Sequence, residues 1–308
     1  MKKDLLSILD LDRQELFGLL AEARRQKVHR RSGIPDNRLK GKSLAMIFEK
    51  PSTRTRISFE VGMYELGGHA LFLNAQDLQI GRGEEIRDTA RVLSRYVSAV
   101  MIRANQHENV EEVARNATIP VINGLSDREH PCQILADIMT IQERFGRTDG
   151  LRVAWVGDGN NVCNSLVLSS ALTGMEVTVA SPPGYHPKPE IVERARAAGG
   201  NVTLVTNPQD AVRDADVVET DAWVSMGDEA QREARNRAFQ GYSLTPALMR
   251  GASPEAMVMH CLPAHRGQEI ADEVIEGPWS MVWDEAENRL HTEKAVLVRL
   301  LEQVQLLL

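Results

Sequence analysis

The feature that most narrows what this chain can become is its rhythm: short β-branched or apolar runs alternate with helix-length amphipathic stretches, and the pattern occurs twice. Leu44–Phe48, Ala70–Leu73, Ala99–Ile102 and Ile119–Ile122 make the first series. Runs near Val153–Val156, Val177–Ala180, Val202–Val205, Val217–Val218 and Met257–Met259 make the second. Runs this short and apolar read as buried strands, and strands separated by helices are wired as βαβ crossovers that form parallel sheets. The expected fold is therefore α/β, with two doubly wound domains, each a parallel sheet flanked by helices. A chain of 308 residues is long enough to divide between two cores.

The polar stretch Glu143-Arg144-Phe145-Gly146-Arg147-Thr148-Asp149-Gly150 precedes the strongest strand of the second series and marks the boundary, giving domains at 1–145 and 146–286. A helix from about Cys132 to Arg144 joins them. From Glu287 to Leu308, apolar residues recur at helical spacing (Leu290, Val296, Leu297, Leu300, Leu301, Val304), which predicts a closing helix that packs back on the first domain. The segment Gly227–Gly241 is polar and charged with only Ala230, Ala234, Ala238 and Phe239 to bury, and reads as a mobile loop, with a surface helix over the helix-permissive Glu229–Ala238 as the alternative.

Composition removes several classes of function. With 36 basic against 43 acidic side chains the formal net charge is −7, the wrong sign for a surface that attracts nucleic acid, so any anion must be captured locally. No apolar stretch is long enough to cross a bilayer, and the first residues show no secretory signal, so the expected location is the cytoplasm. Cys132, Cys163 and Cys261 are odd in number and lack paired metal-ligand spacing, which points to free thiols rather than a disulfide framework or a zinc site. Neither a metal nor a cofactor is expected.

Local capture has an evident place. Ser52-Thr53-Arg54-Thr55-Arg56 lies where the run Leu44–Phe48 stops and a helical pattern (Ile57, Val61, Tyr64) begins. A helix start leaves backbone N–H groups without intrahelical partners and carries partial positive charge. Hydroxyls and guanidinium forks there add donors suited to phosphate oxygens. Arg103 follows Val100-Met101-Ile102, and His130 and Gln133 open a helix after Asn123–Asp127, so all belong to the carboxyl edge of the first sheet, where ligands of such sheets bind.

In the second half, Gly157-Asp158-Gly159-Asn160-Asn161 suggests a dinucleotide loop. The spacing fails, because Val162 stands at the third glycine and no acid closes the next strand. Asparagine amides there suit a zwitterion instead. Asp221, after the strand Val217-Val218, offers a carboxylate to an ammonium, and His260-Cys261-Leu262-Pro263 ends another strand, where a thiol and the backbone carbonyls before Pro263 are expected to line the same cleft.

Phe48-Glu49-Lys50-Pro51-Ser52-Thr53-Arg54-Thr55-Arg56, His130-Pro131-Cys132-Gln133, Asp221 through Gly227 and His260-Cys261-Leu262-Pro263 together resemble the ornithine carbamoyltransferases, almost end to end. The first two motifs are shared across the aspartate and ornithine carbamoyltransferase superfamily; the last two are specific to the ornithine branch. The resemblance implies that carbamoyl phosphate binds Ser52, Thr53, Arg54, Thr55, Gln79, Arg103, His130 and Gln133. It implies that ornithine is held by Asn161, Asp221, Ser225 and Met226, with Cys261, Leu262 and Arg289 completing the substrate site, and that Arg54, Thr55, Arg103, His130 and Cys261 act in catalysis. It further implies transfer of the carbamoyl group to L-ornithine, giving L-citrulline and phosphate, in a homotrimer or a multiple of trimers. In that family the segment around Gln79 reaches a neighbouring subunit's site. Ser225-Met226-Gly227 is the feature against putrescine or N-acetylornithine as acceptor. Glu129, before His130, departs from the aromatic often found there.

Overall fold

A computed structural model describes residues 4–79, 83–224 and 231–302. The chain divides into two compact units: Met1–Met139 together with Glu287–Leu308, and Thr140–Ala286.

The first unit runs α1 (Arg13–Arg31), β1 (Ser43–Phe48), α2 (Arg54–Glu65), β2 (His69–Asn74), α3 (Ile86–Tyr96), β3 (Ala99–Arg103), α4 (His107–Asn116), β4 (Val121–Leu125) and α5 (Pro131–Phe145). Its four strands are all parallel in the order β2-β1-β3-β4. The central strands β1 and β3 are buried nearly throughout, as unalternating apolar runs require, whereas edge strand β2 is largely exposed.

β4 begins and ends later than the run Ile119–Ile122 predicts. Pro120 has no N–H to place in the ladder, although its carbonyl accepts from the Val100 N–H at 2.9 Å. The strand then continues through Asn123 and Gly124, residues that read as loop. A Cβ on Gly124 would lie 2.4 Å from the sulfur of Met101, so glycine is what lets the two strands lie side by side here.

α2 also turns differently from expectation. Its buried face is Thr55, Ser58, Phe59, Gly62 and Met63. Ile57 and Tyr64 are 53% and 81% exposed, so these two apolar residues point away from the core.

The second unit contains β5 (Arg152–Val156), α6 (Asn161–Thr173), β6 (Glu176–Ala180), α7 (Pro189–Ala197), β7 (Asn201–Val205), α8 (Pro208–Val212), β8 (Val217–Thr220), α9 (Arg232–Ala238), α10 (Pro246–Met249), β9 (Met257–His260) and α11 (Asp272–Ile275). Its sheet is parallel with order β7-β6-β5-β8-β9. The last helix, α12 (Val282–Glu302), starts five residues before the predicted Glu287 and carries the chain back into the first unit. There it packs on α2: a Cβ on Gly62 would sit 3.1 Å from Cγ of Lys294.

Of the two readings of Gly227–Gly241, the helical one holds over the described part, 231–241, where α9 forms, and the mobile-loop reading is corrected there. α9 buries none of its own residues. Its anchors are Phe239, which is fully buried and stacks on Trp223 with centroids 5.6 Å apart, and Arg235, whose Nη1 donates to Asp158 Oδ2 at 2.7 Å and to the Trp223 carbonyl at 3.0 Å. The remainder of that segment lies outside the described residues.

Candidate active site

Both sheets reverse strand order once, and the residues of interest gather at those reversals. In the first sheet the reversal falls between β1 and β3; Arg54 opens the helix that follows β1, and Arg103 is the last residue of β3. In the second it falls between β5 and β8, followed by Asn160-Asn161 and by Asp221. Adjacent crossovers leave in opposite directions at such a point, so a crevice opens outside the strand ends.

In the first unit, the Glu49 N–H donates to the Arg103 carbonyl at 2.9 Å, tying the two strand ends together. Ser52 Oγ accepts from the Thr55 N–H at 3.3 Å and caps the first turn of α2. Thr55, Arg103, His130, Gln133 and Arg289 are all buried. Arg289, on α12, is the hub. Its Nη1 donates to Gln133 Oε1 at 2.6 Å, its Nη2 to Thr55 Oγ1 at 3.1 Å, and its Nε and Nη2 to Glu293 Oε1 at 3.0 and 2.6 Å. Gln133 Nε2 in turn donates to Asp137 Oδ1 at 2.8 Å. Burial, together with the positive charges of Arg289, Arg103 and Arg54, holds the His130 imidazole well below its ordinary pKa. His130 is therefore neutral at pH 7, with one ring nitrogen a donor and the other an acceptor.

Arg56, which the sequence pairs with Arg54 as an anion fork, is turned elsewhere. Its guanidinium lies 3.7 Å from the centroid of the Phe72 ring, and its Nε donates to Glu60 at 3.0 Å. Glu129 is fully buried, and its Oε2 accepts from the Ile8 N–H at 3.1 Å, so it secures the start of the chain beside β4.

In the second unit the acceptor atoms cluster more openly. Asn160 Oδ1 caps α6 through the N–H groups of Val162 and Cys163, and its Nδ2 donates to Asp221 Oδ2 at 2.7 Å. Asp221 Oδ1 accepts from the Ala222 N–H at 2.8 Å and from Cys261 Sγ at 3.2 Å. Asn161, Asp221, Cys261 and Leu262 are all half-buried. Leu262 has φ of 61°, a left-handed conformation costly for a branched side chain. His260 holds it there: the Leu262 N–H donates to His260 Nδ1 at 2.9 Å, which leaves Nε2 to donate to Glu269 Oε1 at 3.2 Å. Burial would raise the Glu269 carboxyl, but hydrogen bonds from His260 and from backbone N–H groups outweigh it and hold the pKa below its usual value.

Ligand atoms of Asp221, His260 and Cys261 lie within 4.8 Å of one another. Both ring nitrogens of His260 are already engaged, so a cation at this place would have to break the Leu262 or Glu269 contact. Gly159 shows no sign of serving a dinucleotide. A Cβ there would lie 2.1 Å from the Pro187 nitrogen, so the absent side chain admits a neighbouring loop, and the Gly159 N–H donates to the Tyr185 carbonyl at 2.7 Å.

Residues 3–143 match the family model for the aspartate/ornithine carbamoyltransferase carbamoyl-P binding domain, and residues 149–300 match that for the Asp/Orn binding domain. The ornithine carbamoyltransferase of Methanoculleus marisnigri is 67% identical over 98% of this chain and 97% of its own length. Among solved structures, ornithine carbamoyltransferase from Pyrococcus furiosus is 53% identical with a TM-score of 0.92, over 96% of this chain and 95% of that one. The chain belongs to the ornithine carbamoyltransferase family. Anabolic ornithine carbamoyltransferase from Campylobacter jejuni, 42% identical over 98% of this chain and all of its own, also superposes with a TM-score of 0.92.

Of the positions that the ornithine carbamoyltransferase motifs single out, Thr55, Gln133 and Arg289 are in direct contact, and Arg54, Arg103 and His130 share the same electrostatic neighbourhood. Asp221 and Cys261 are likewise in contact. Ser225 and Met226 lie outside the described residues. Gln79 is exposed, and Asn161 stands beside Asn160, which makes the bond to Asp221. Sequence reading passed over Glu269 and Glu293, and it offered the Asn160 amide to a zwitterion where the side chain caps α6 and holds Asp221. An asparagine just before a helix after a strand signals a cap, and Glu293 stands at i+4 from Arg289 within an apolar stripe; Glu269 carries no local signal.

Proposed function

We propose that the protein transfers the carbamoyl group of carbamoyl phosphate to the side-chain amine of L-ornithine, giving L-citrulline and inorganic phosphate. The observation that carries this reading is the cationic, buried group at the first switch point, where Arg103, His130, Thr55 and Gln133 surround the start of α2 beside Arg54. In the proposed roles, Ser52, Thr53, Arg54 and Gln79 bind the phosphate, and Arg54 neutralises it as it leaves. Arg103, Thr55 and neutral His130 donate to the carbonyl oxygen as it gains negative charge, while Gln133 orients the carbamoyl amide. Donors fixed in advance in a buried site stabilise that charge without reorganising.

Ornithine is taken by the second unit: Asp221 pairs with an ammonium group, with Asn161, Ser225 and Met226 as further contacts and Cys261 and Leu262 alongside. The deprotonated amine attacks the carbonyl carbon, a tetrahedral intermediate forms, and the C–O bond to phosphate breaks. Arg289 supports the donor side through Thr55 and Gln133.

The chain acts as a homotrimer or a multiple of trimers in this reading. Supporting it are the large apolar side chains that the first unit leaves exposed, among them Ile57 and Tyr64 on α2 and Leu71 and Phe72 on β2. A cytoplasmic location fits three free cysteines, two of them buried; among the described residues no helix is long and apolar enough to cross a membrane. The deciding assay is citrulline formation from carbamoyl phosphate and ornithine, run beside putrescine and N-acetylornithine. Turnover with ornithine well above the other amines is expected, and an absence of citrulline would sink the reading.

A further inference from the structure

We infer that Glu293 is a positioning residue, which sets the hydrogen-bonding state of Thr55 and Gln133 by fixing the guanidinium of Arg289. This inference rests on the proposed reaction. Glu293 is fully buried. Its Oε1 accepts from both Nε and Nη2 of Arg289, and its Oε2 lies against Ser58 Oγ, whose single O–H is shared between this carboxylate and the Arg54 carbonyl at 2.7 Å. The carboxylate therefore joins α12 to the first turns of α2, one turn beyond Thr55.

The consequence is directional. With two of its N–H groups turned toward Glu293, Arg289 presents the others to Gln133 Oε1 and Thr55 Oγ1. Thr55, accepting from Arg289, keeps its own O–H to donate, and Gln133 has its carbonyl turned to Arg289 and its amide to Asp137. An exposed i, i+4 ion pair contributes little to stability, and burying one sets desolvation against attraction. Stabilisation alone is thus a weak reason for this pair, whereas orienting a fork among reacting groups is a strong one.

Burial pushes the Glu293 carboxyl up to about 7, against the opposing pull of Arg289 and Ser58. The groups facing it are Ser58 from α2, Cys132 and Asp137 from α5, the latter acting through Arg289, and Arg289 on its own helix. Burial raises the Cys132 thiol far above its ordinary value, so it stays neutral throughout. Above pH 7 the carboxylate grips Arg289 through charge-assisted bonds; below it, the neutral acid grips less.

The test uses the full-length enzyme with Glu293→Gln and Glu293→Ala, measuring kcat and KM for carbamoyl phosphate at saturating ornithine from pH 6 to 9, with circular dichroism as the check on folding. Glu293→Ala should lower kcat by about tenfold or more, since the hydroxyl it orients donates to the developing oxyanion. The ratio of wild-type to Glu293→Gln kcat/KM should be near one below pH 7 and rise by about three- to tenfold above it. A folded Glu293→Ala enzyme with unaltered kcat, or a ratio flat across pH, overturns the inference; if the alanine variant does not fold, the ratio decides. Wild type that forms no citrulline would refute the reaction itself, whereas active wild type with indifferent variants refutes only the role of Glu293.

Discussion

The two switch points have the same topology and opposite chemistry. At the first, Thr55, Arg103, His130, Gln133 and Arg289 are buried, and burial together with the local positive charge keeps a histidine neutral. At the second, Asp221, Cys261, Leu262 and Asn161 are half-buried and the principal charge is a carboxylate. A phosphate group spreads its charge over several oxygens and needs several fixed donors, which are strongest where water is excluded. A diamino acid carries compact, well-hydrated ammonium charge, for which one carboxylate in an open setting suffices. One architecture thus serves two ligands by changing what stands at the strand ends.

The largest effect should come from removing the anion fork. Arg54→Ala is expected to abolish turnover, by about a thousandfold or more, with the fold retained by circular dichroism; near-normal citrulline formation would erase the distinction between the two sites. Asp221→Asn should lower kcat/KM for ornithine by about tenfold to a hundredfold while leaving the KM for carbamoyl phosphate unchanged, because it removes a charged acceptor from the second site alone. An equal loss for both substrates would mean that the sites are not separable in this way. The smallest effect concerns assembly. Of the large apolar side chains left exposed among the described residues, only Leu204 and Trp283 belong to the second unit, so contacts between copies should fall on the first. Tyr64→Ser should raise the subunit dissociation constant by about tenfold, read as a falling mass in light scattering on dilution; an unchanged mass would move the interface elsewhere.

Much of this was legible in the sequence because it rests on local regularity. The buried central strands appear as uninterrupted apolar runs, and Pro51 through Arg56 announces a helix start with a cationic rim. What escaped depends on neighbours distant in sequence. The extent of β4 is set by Met101 passing over Gly124, and the outward turn of Ile57 and Tyr64 by α12 covering the other side of α2. Arg235 and Phe239 turn a polar stretch into a docked helix through Trp223 and through Asp158, which is 77 positions from Arg235. The roles of Arg289 and Glu293 could not be read from helical spacing, because the spacing shows a stripe and not what the stripe touches.

The bond from Arg289 to Thr55 spans 234 positions of the chain. During translation, the amino-terminal lobe emerges and begins to collapse long before its partner arginine leaves the ribosome. Nascent protein therefore passes through a stage in which Thr55 and Gln133 lack their brace, and a frameshift late in the reading frame would remove not only that arginine but also Val296, Leu297, Leu300 and Leu301, which are buried in the first unit.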